Sequence, residues 1–268
     1  MRSSNPVFNR TDGFNGQPAA PVGFDDHPTH TELGRGTGRM TLETVIEKTA
    51  ITSGLVVVTA GVAWFLIGDL STQESLGLAY MLSMVGAFGG FILSLVNSFK
   101  KVVSPPLVLA YAALEGLFVG AFSKVITAMF SPGDPSLVAG AVLGTLAALG
   151  GTLAAYKFFN IQVGNRFRKM VVASMFGFVG VSLLDFILGF FGHSFGFNGF
   201  GTMGLLSSIL GVVIAVFMLI MDFDYVERGV AAGLPERESW RAAFGLTVTI
   251  VWLYIELLRI LAILRGND

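Results

Sequence analysis

After residue 48 the chain is dominated by seven apolar stretches, over 49–68, 76–97, 105–129, 136–156, 170–191, 202–221 and 243–264. Each is close to the ~20 residues that cross a hydrocarbon core as a helix. Within a bilayer no water reaches backbone N–H and C=O groups, so segments of this length satisfy them internally as helices. The expected fold is therefore all-α, a polytopic membrane protein with seven transmembrane helices. Composition points the same way. Only 13% of the 268 residues are charged and 53% are hydrophobic, whereas soluble domains carry about 25% charge. The formal net charge of −1 offers no positive field for nucleic acid. The absence of Cys removes disulfides, thiolate metal sites and cysteine nucleophiles together.

Residues 1–45 are rich in Asn, Gly, Pro, His and Asp and read as a disordered cytoplasmic tail, leaving 46–268 as the seven-helix domain. No apolar core follows Arg2 or Arg10, so the start does not resemble a signal peptide. The residues from Thr41 form a lead-in to the first span. His27 and His30 stand beside Asp25 and Asp26; ligands so few and so poorly ordered read as a solvated tail rather than a metal site.

Charge fixes the expected orientation. The tail and first-span entrance carry Arg2, Arg10, Arg35, Arg39 and Lys48. The second link has Lys100 and Lys101, the fourth Lys157, Arg166, Arg168 and Lys169, and the sixth Arg228, Arg237 and Arg241. These are fourteen of the seventeen basic residues, and the positive-inside rule puts their side in the cytoplasm. With seven crossings, the N-terminus is cytoplasmic and the C-terminus outside. Gly116-x-x-x-Gly120 and Gly140-x-x-x-Gly144 have the small-residue spacing that allows close helix approach. Gly86, Gly89 and Gly90 offer the same in the second span.

Ionisable groups inside spans are costly and are functional candidates by default. The set is Glu115, Lys124, Asp185, Asp222, Glu256 and Arg259. Glu256 and Arg259 are three apart on one helix face, which fits either a locked ion pair or part of an ion path. Glu115 has no basic residue within a turn of its own helix. Acids spread from Asp222 and Asp224 at the inner end, through Glu115, to Asp185 and Glu256 towards the outside could line a cation or proton path. Carboxylate oxygens suit hard ions such as calcium. An enzyme is not expected. His193 falls in a link and no His lies in a span, which removes histidine-ligated zinc hydrolysis and a histidine base within the membrane.

The chain resembles the Bax inhibitor family (transmembrane Bax inhibitor motif proteins) in its bacterial branch. The residues responsible are Ile220-Met-Asp222-Phe-Asp224 and Trp252-Leu-Tyr-Ile-Glu-Leu-Leu-Arg259-Ile-Leu-Ala-Ile-Leu264. Arg2-Ser-Ser-Asn-Pro-Val-Phe8 and Tyr111-Ala-Ala-Leu-Glu115-Gly116 look like the actinobacterial sub-branch. The resemblance implies a central last helix wrapped by the other six. It also implies a pH-sensitive calcium leak in the bacterial plasma membrane, closed by two aspartates on the sixth and seventh helices. Asp222 matches the first; ungapped alignment puts Thr249 at the second. The pair is broken here, and with it the coupled titration of two touching carboxylates. Lys100 or Lys101 is then a possible ionic partner for Asp222.

The resulting expectation is a calcium or cation leak without a bound cofactor. Gate and pH-sensor candidates are Asp222, Asp224, Thr249, Lys100 and Lys101; ion-path candidates are Glu115, Asp185, Glu256 and Arg259. Calcium would meet Asp222 and Glu115 in passing. Partners are the lipid bilayer and calcium or protons, with no nucleic acid. The alternative is a non-conducting regulator that binds a membrane protease or another membrane protein. A proton-coupled transporter is disfavoured because neither inverted repeats nor broken helices are visible.

Overall fold

The computed structural model describes residues 38–266. The histidines of the tail and the Arg2–Phe8 motif lie outside the described residues. Seven helices follow one another: α1 (Leu42–Ile67), α2 (Gln73–Phe99), α3 (Pro105–Phe130), α4 (Ser136–Phe158), α5 (Asn165–Phe190), α6 (Thr202–Ala231) and α7 (Glu238–Gly266). All seven are long and apolar enough to span a membrane, and there is no strand among the described residues.

Local chemistry explains where helices begin. Thr41 accepts from the Thr44 amide at 3.2 Å, while the Thr44 hydroxyl accepts from the Thr41 amide at 3.0 Å. This reciprocal box opens α1 ahead of its apolar run. Thr72 and Ser75 do the same for α2, and α3 starts on prolines, whose missing N–H costs nothing in a first turn. Asp134 accepts from the Ser136 amide at 2.8 Å and hydroxyl at 2.7 Å, and from Arg265 at 2.6 Å. The Ser136 bonds, with Arg265, hold the Asp134 carboxyl below its ordinary range.

Helix ends depart from the hydropathy reading where charge sets in. The charged stretch 222–241, expected as a link, is mostly helix, and only 232–237 separates α6 from α7. Apolarity stops at the membrane face, but helical hydrogen bonding does not. Ion pairs at helical spacing, Asp224–Arg228 at 2.9 Å and Glu238–Arg241 at 2.7 Å, carry the helices onward. Residues 38–40 run beside this link: the Met40 amide bonds to the Leu234 carbonyl at 2.7 Å, and Met40 is buried.

The last helix is central. α7 is the most buried of the seven helices, with buried residues on successive turns from Ser239 to Ile263. Its backbone is approached by α1, α3, α4 and α6. Its polar groups find partners across those contacts: Thr247 with Thr52 at 2.7 Å, Tyr254 with Ser123 at 2.7 Å, Ser239 with Thr44 at 2.8 Å. The other two helices stand in an outer layer. α2 packs on α3 and α1, and α5 packs on α6. They reach α7 through side chains, as where Phe178 of α5 meets Trp252 with ring centres 5.4 Å apart. Wrapping by six helices is thus four inner helices and two outer ones. The links 100–104, 159–164 and 232–237 share one end of the bundle, called the basic end below.

Glycine lets α1 and α3 touch backbone to backbone. A Cβ on Gly116 would strike Val56 and Thr59, and one on Gly120 would strike Ala60. The Gly140 and Gly144 pair is different, since each faces only a leucine methyl of α7, at 3.3 and 3.4 Å. Gly120→Val should therefore destabilise the purified protein by about 1–3 kcal/mol or more, read as a fall in thermal midpoint in detergent. Gly144→Ala should change it by no more than about 0.5 kcal/mol.

Candidate functional site

The carboxylates inside the spans fall into two groups when their partners are traced. Asp185, near the end of α5, is fully used by the link that follows. It accepts from the amides of Phe195 at 2.8 Å, Gly196 at 3.2 Å and Asn198 at 2.9 Å, and from the Ser194 hydroxyl at 2.9 Å. The same link presents its carbonyls to α7: Arg259 donates to Phe197 at 2.9 Å and Gly199 at 3.2 Å. One acid takes the donors and one base takes acceptors, so irregular backbone is satisfied next to the bundle. Arg259 also pairs with Glu256 at 3.0 Å, both side chains being buried. Glu256 is seated against Gly211 of α6, where a Cβ would lie 2.8 Å from its carboxyl carbon.

At the basic end Asp224 is likewise consumed. Arg168 from α5 and Arg228 from its own helix bind its two oxygens at 3.0 and 2.9 Å, and Arg228 also donates to the Val163 carbonyl at 2.8 Å. Tyr156 donates to Glu227 at 2.6 Å, adding α4 to the same clamp.

Asp222 and Glu115 are different. Asp222 points the other way from Asp224, onto the turn of α7 between Gly245 and Thr249. The Thr249 hydroxyl donates to it at 2.7 Å, and also to the Gly245 carbonyl at 3.1 Å. A Cβ on Gly245 would be 3.4 Å from the other Asp222 oxygen. The ungapped alignment thus puts Thr249 on the residue it touches. No cation joins them: among the described residues neither Lys100 nor Lys101 forms an ion pair with Asp222. That expected pairing is corrected by topology, because α2 packs on α3 and α1 and not on α6. What the two lysines contribute is backbone: their carbonyls accept from Arg241 of α7 at 3.4 and 2.9 Å.

Glu115 lies on α3 against Gly90 of α2, where a Cβ would stand 2.6 Å from its carboxylate oxygen. Its polar neighbour is the Tyr111 hydroxyl, one turn away on the same helix. It lines a cavity of about 480 Å³ between α2, α3, α5 and α7, together with Ser94, Ser182, Asn198, Trp252 and Glu256. Glu115 and Glu256 are therefore brought to one cavity, whereas Asp222 is not among its lining residues. No group of three metal-ligating side chains occurs among the described residues.

Sequence reading missed the anchoring of the 191–201 link and the Arg168–Asp224–Arg228 clamp. The signal for the first was present in Gly192, Ser194, Gly196 and Asn198, residues that allow tight turns and short polar contacts. Removal of Asp185 leaves several donors unpaired, each costing about 1–3 kcal/mol. Asp185→Ala is expected to lower the thermal midpoint clearly. Asp222→Asn, which still accepts from Thr249 and removes an acid that no cation joins, should not lower it.

Comparison with known proteins gives the setting. The chain is 26% identical over 161 residues to a protein of Chlamydia muridarum (strain MoPn / Nigg) whose own description is uncharacterized. The match spans 58% of this chain and 63% of that protein, less than two thirds of its length. A family model described as Bax inhibitor 1 like matches residues 5–266. A match over nearly the whole chain, on a seven-helix bundle with a central last helix, makes this protein a member of the Bax inhibitor 1 like family.

Proposed function

We propose that the protein is a cation leak with calcium as its permeant ion, and that it has no catalytic activity. It acts in a bacterial plasma membrane, with the N-terminus in the cytoplasm and the C-terminus outside. The observation that carries this reading is the partition of the carboxylates. Asp185, Asp224 and Glu256 are each held by amides or arginine, while Asp222 and Glu115 meet neither among the described residues. An acid left without a cation inside a bundle is costly, and a passing cation relieves that cost. Hard carboxylate oxygens favour calcium over softer ions. The orientation is supported by the basic end, which gathers Lys100, Lys101, Arg166, Arg168, Arg228 and Arg237.

On this reading Asp222 with Thr249 guards the basic end and Glu115 stands further along the path beside α7. Dye-loaded liposomes holding the purified protein should admit calcium, and Glu115→Gln should cut that flux severalfold at unchanged helix content. Flux in the variant equal to the parent would remove Glu115 from the path. Absence of flux in the parent would favour the non-conducting regulator instead.

Thr249 provides the finer test. A hydroxyl donor satisfies Asp222 without sharing a proton, so the parent lacks a coupled carboxylate pair. Thr249→Asp places a second carboxyl at the 2.7 Å contact, where two acids in contact titrate as one unit. The variant's calcium flux is expected to acquire a pH dependence that the parent lacks, and Asp222→Asn in the same chain should remove it. A pH response that survives the second substitution would break the link to Asp222.

A further inference from the structure

We propose that the slot between α2 and α5 is a binding site for an amphiphilic cation taken up sideways from the lipid, its ammonium against Glu115 and its hydrocarbon body on the aromatic walls. The slot follows from the two-layer architecture. α2 is held by α3 and α1, α5 by α6, and their backbones do not meet. Their one ring contact, Phe88 with Phe186 at 6.5 Å between centres, bridges the gap without filling it. Behind it lies the cavity of about 480 Å³, a volume in the range of sites for drug-sized ligands.

The mouth opens on the face that meets lipid. Phe91, Val179 and Leu183 line the cavity and are 49%, 41% and 50% exposed. The floor is formed by α3 and α7, and its charge is unbalanced. Glu256 is neutralised by Arg259 at 3.0 Å, no Lys or Arg lines the cavity, and Glu115 remains. The walls include Phe91, Phe118, Phe178 and Trp252, whose ring faces attract an ammonium group and whose bodies receive hydrocarbon.

Each alternative ligand class conflicts with one of these features. An anion would face Glu115. A calcium ion held at rest needs about 6–8 converging oxygens, and no group of three metal-ligating side chains occurs among the described residues, so calcium would pass here rather than stay. A neutral acyl chain would give Glu115 no polar partner beyond the Tyr111 hydroxyl it already meets. An amphiphilic ammonium satisfies charge and wall together. This site goes beyond the leak and rests on the slot's own geometry, so its test reads binding rather than flux.

The chain has three tryptophans, and Trp252 is the one lining the slot. In a Trp64→Phe, Trp240→Phe background, the full chain in phosphatidylcholine liposomes is titrated with bromoundecylamine or bromoundecanol, whose bromine quenches indole on contact. The amine should quench Trp252 saturably, at a mole fraction about tenfold below the alcohol, equivalent to about 1.4 kcal/mol. Glu115→Gln should abolish that preference and Glu115→Asp should retain it. Equal quenching by amine and alcohol, or a preference that survives Glu115→Gln, overturns the proposal. Should Glu115→Gln not fold, Val179→Phe with Leu183→Phe narrows the mouth from its lipid face. Undiminished amine quenching in that variant overturns the proposal as well.

Discussion

A hydrocarbon solvent offers no hydrogen bonds, and that constraint organises this bundle. A polar group buried on the central helix is costly unless another part of the chain meets it. α7 brings Ser239, Thr247, Thr249, Tyr254, Glu256 and Arg259 into the interior. Thr44, Thr52, Ser123, Asp222 and the carbonyls of the 191–201 link meet five of these positions directly. The sixth, Glu256, is met by Arg259 of its own helix. These contacts reach α1, α3, α6 and the link after α5, so the polar residues set the rotation of α7 about its axis.

The same constraint separates acids held by cations from acids that meet none among the described residues. A buried ion pair is weak evidence for stability, but removing one partner is strongly destabilising. Glu256 with Arg259 belongs to that class, whereas Asp224 is buried but its two arginines are about half exposed. Both Asp224 oxygens are occupied. Asp222, in contrast, lies two residues from Asp224 on the same helix, and a helical step of two residues turns it to another face. One face points at the basic clamp on α5, the other at Gly245 and Thr249 of α7. Two adjacent aspartates of one motif thus have unrelated tasks, one fastening α6 outward and the other facing the central helix.

How much of this was legible in the sequence depends on the range of the interaction. The seven spans were legible because hydropathy is local, and the start of α1 because the Thr41–Thr44 box is contained in four residues. The end of α6 was not, since hydropathy reports the edge of the membrane and not the last helical hydrogen bond. The Asp222–Thr249 contact could be placed only through family resemblance, as 27 residues separate the two. The Arg168–Asp224 bridge, 56 residues apart, had no comparable guide. Nor did the pairing of Lys100 and Lys101: their charge suggested a partner for Asp222, while the fold uses their carbonyls and leaves α2 on the far side of α3.

At three of the five acids within the spans, packing is tied to chemistry by glycine. Glu115 is seated on Gly90 of α2, Glu256 on Gly211 of α6 and Asp222 beside Gly245 of α7. A carboxyl group is too bulky to lie between closely packed helices unless the opposite position lacks a side chain. Glycine therefore does two jobs in this family member: at Gly116 and Gly120 it brings backbones together, and at these three positions it makes room for charge. Two of the three seats, and the Thr249 hydroxyl, involve α7. A shift of α7 along its axis relative to α6 by even one residue, 1.5 Å in a helix, would displace Asp222 from Thr249 and Glu256 from Gly211 in the same movement. The two contacts therefore depend on one register, that of α7 against α6.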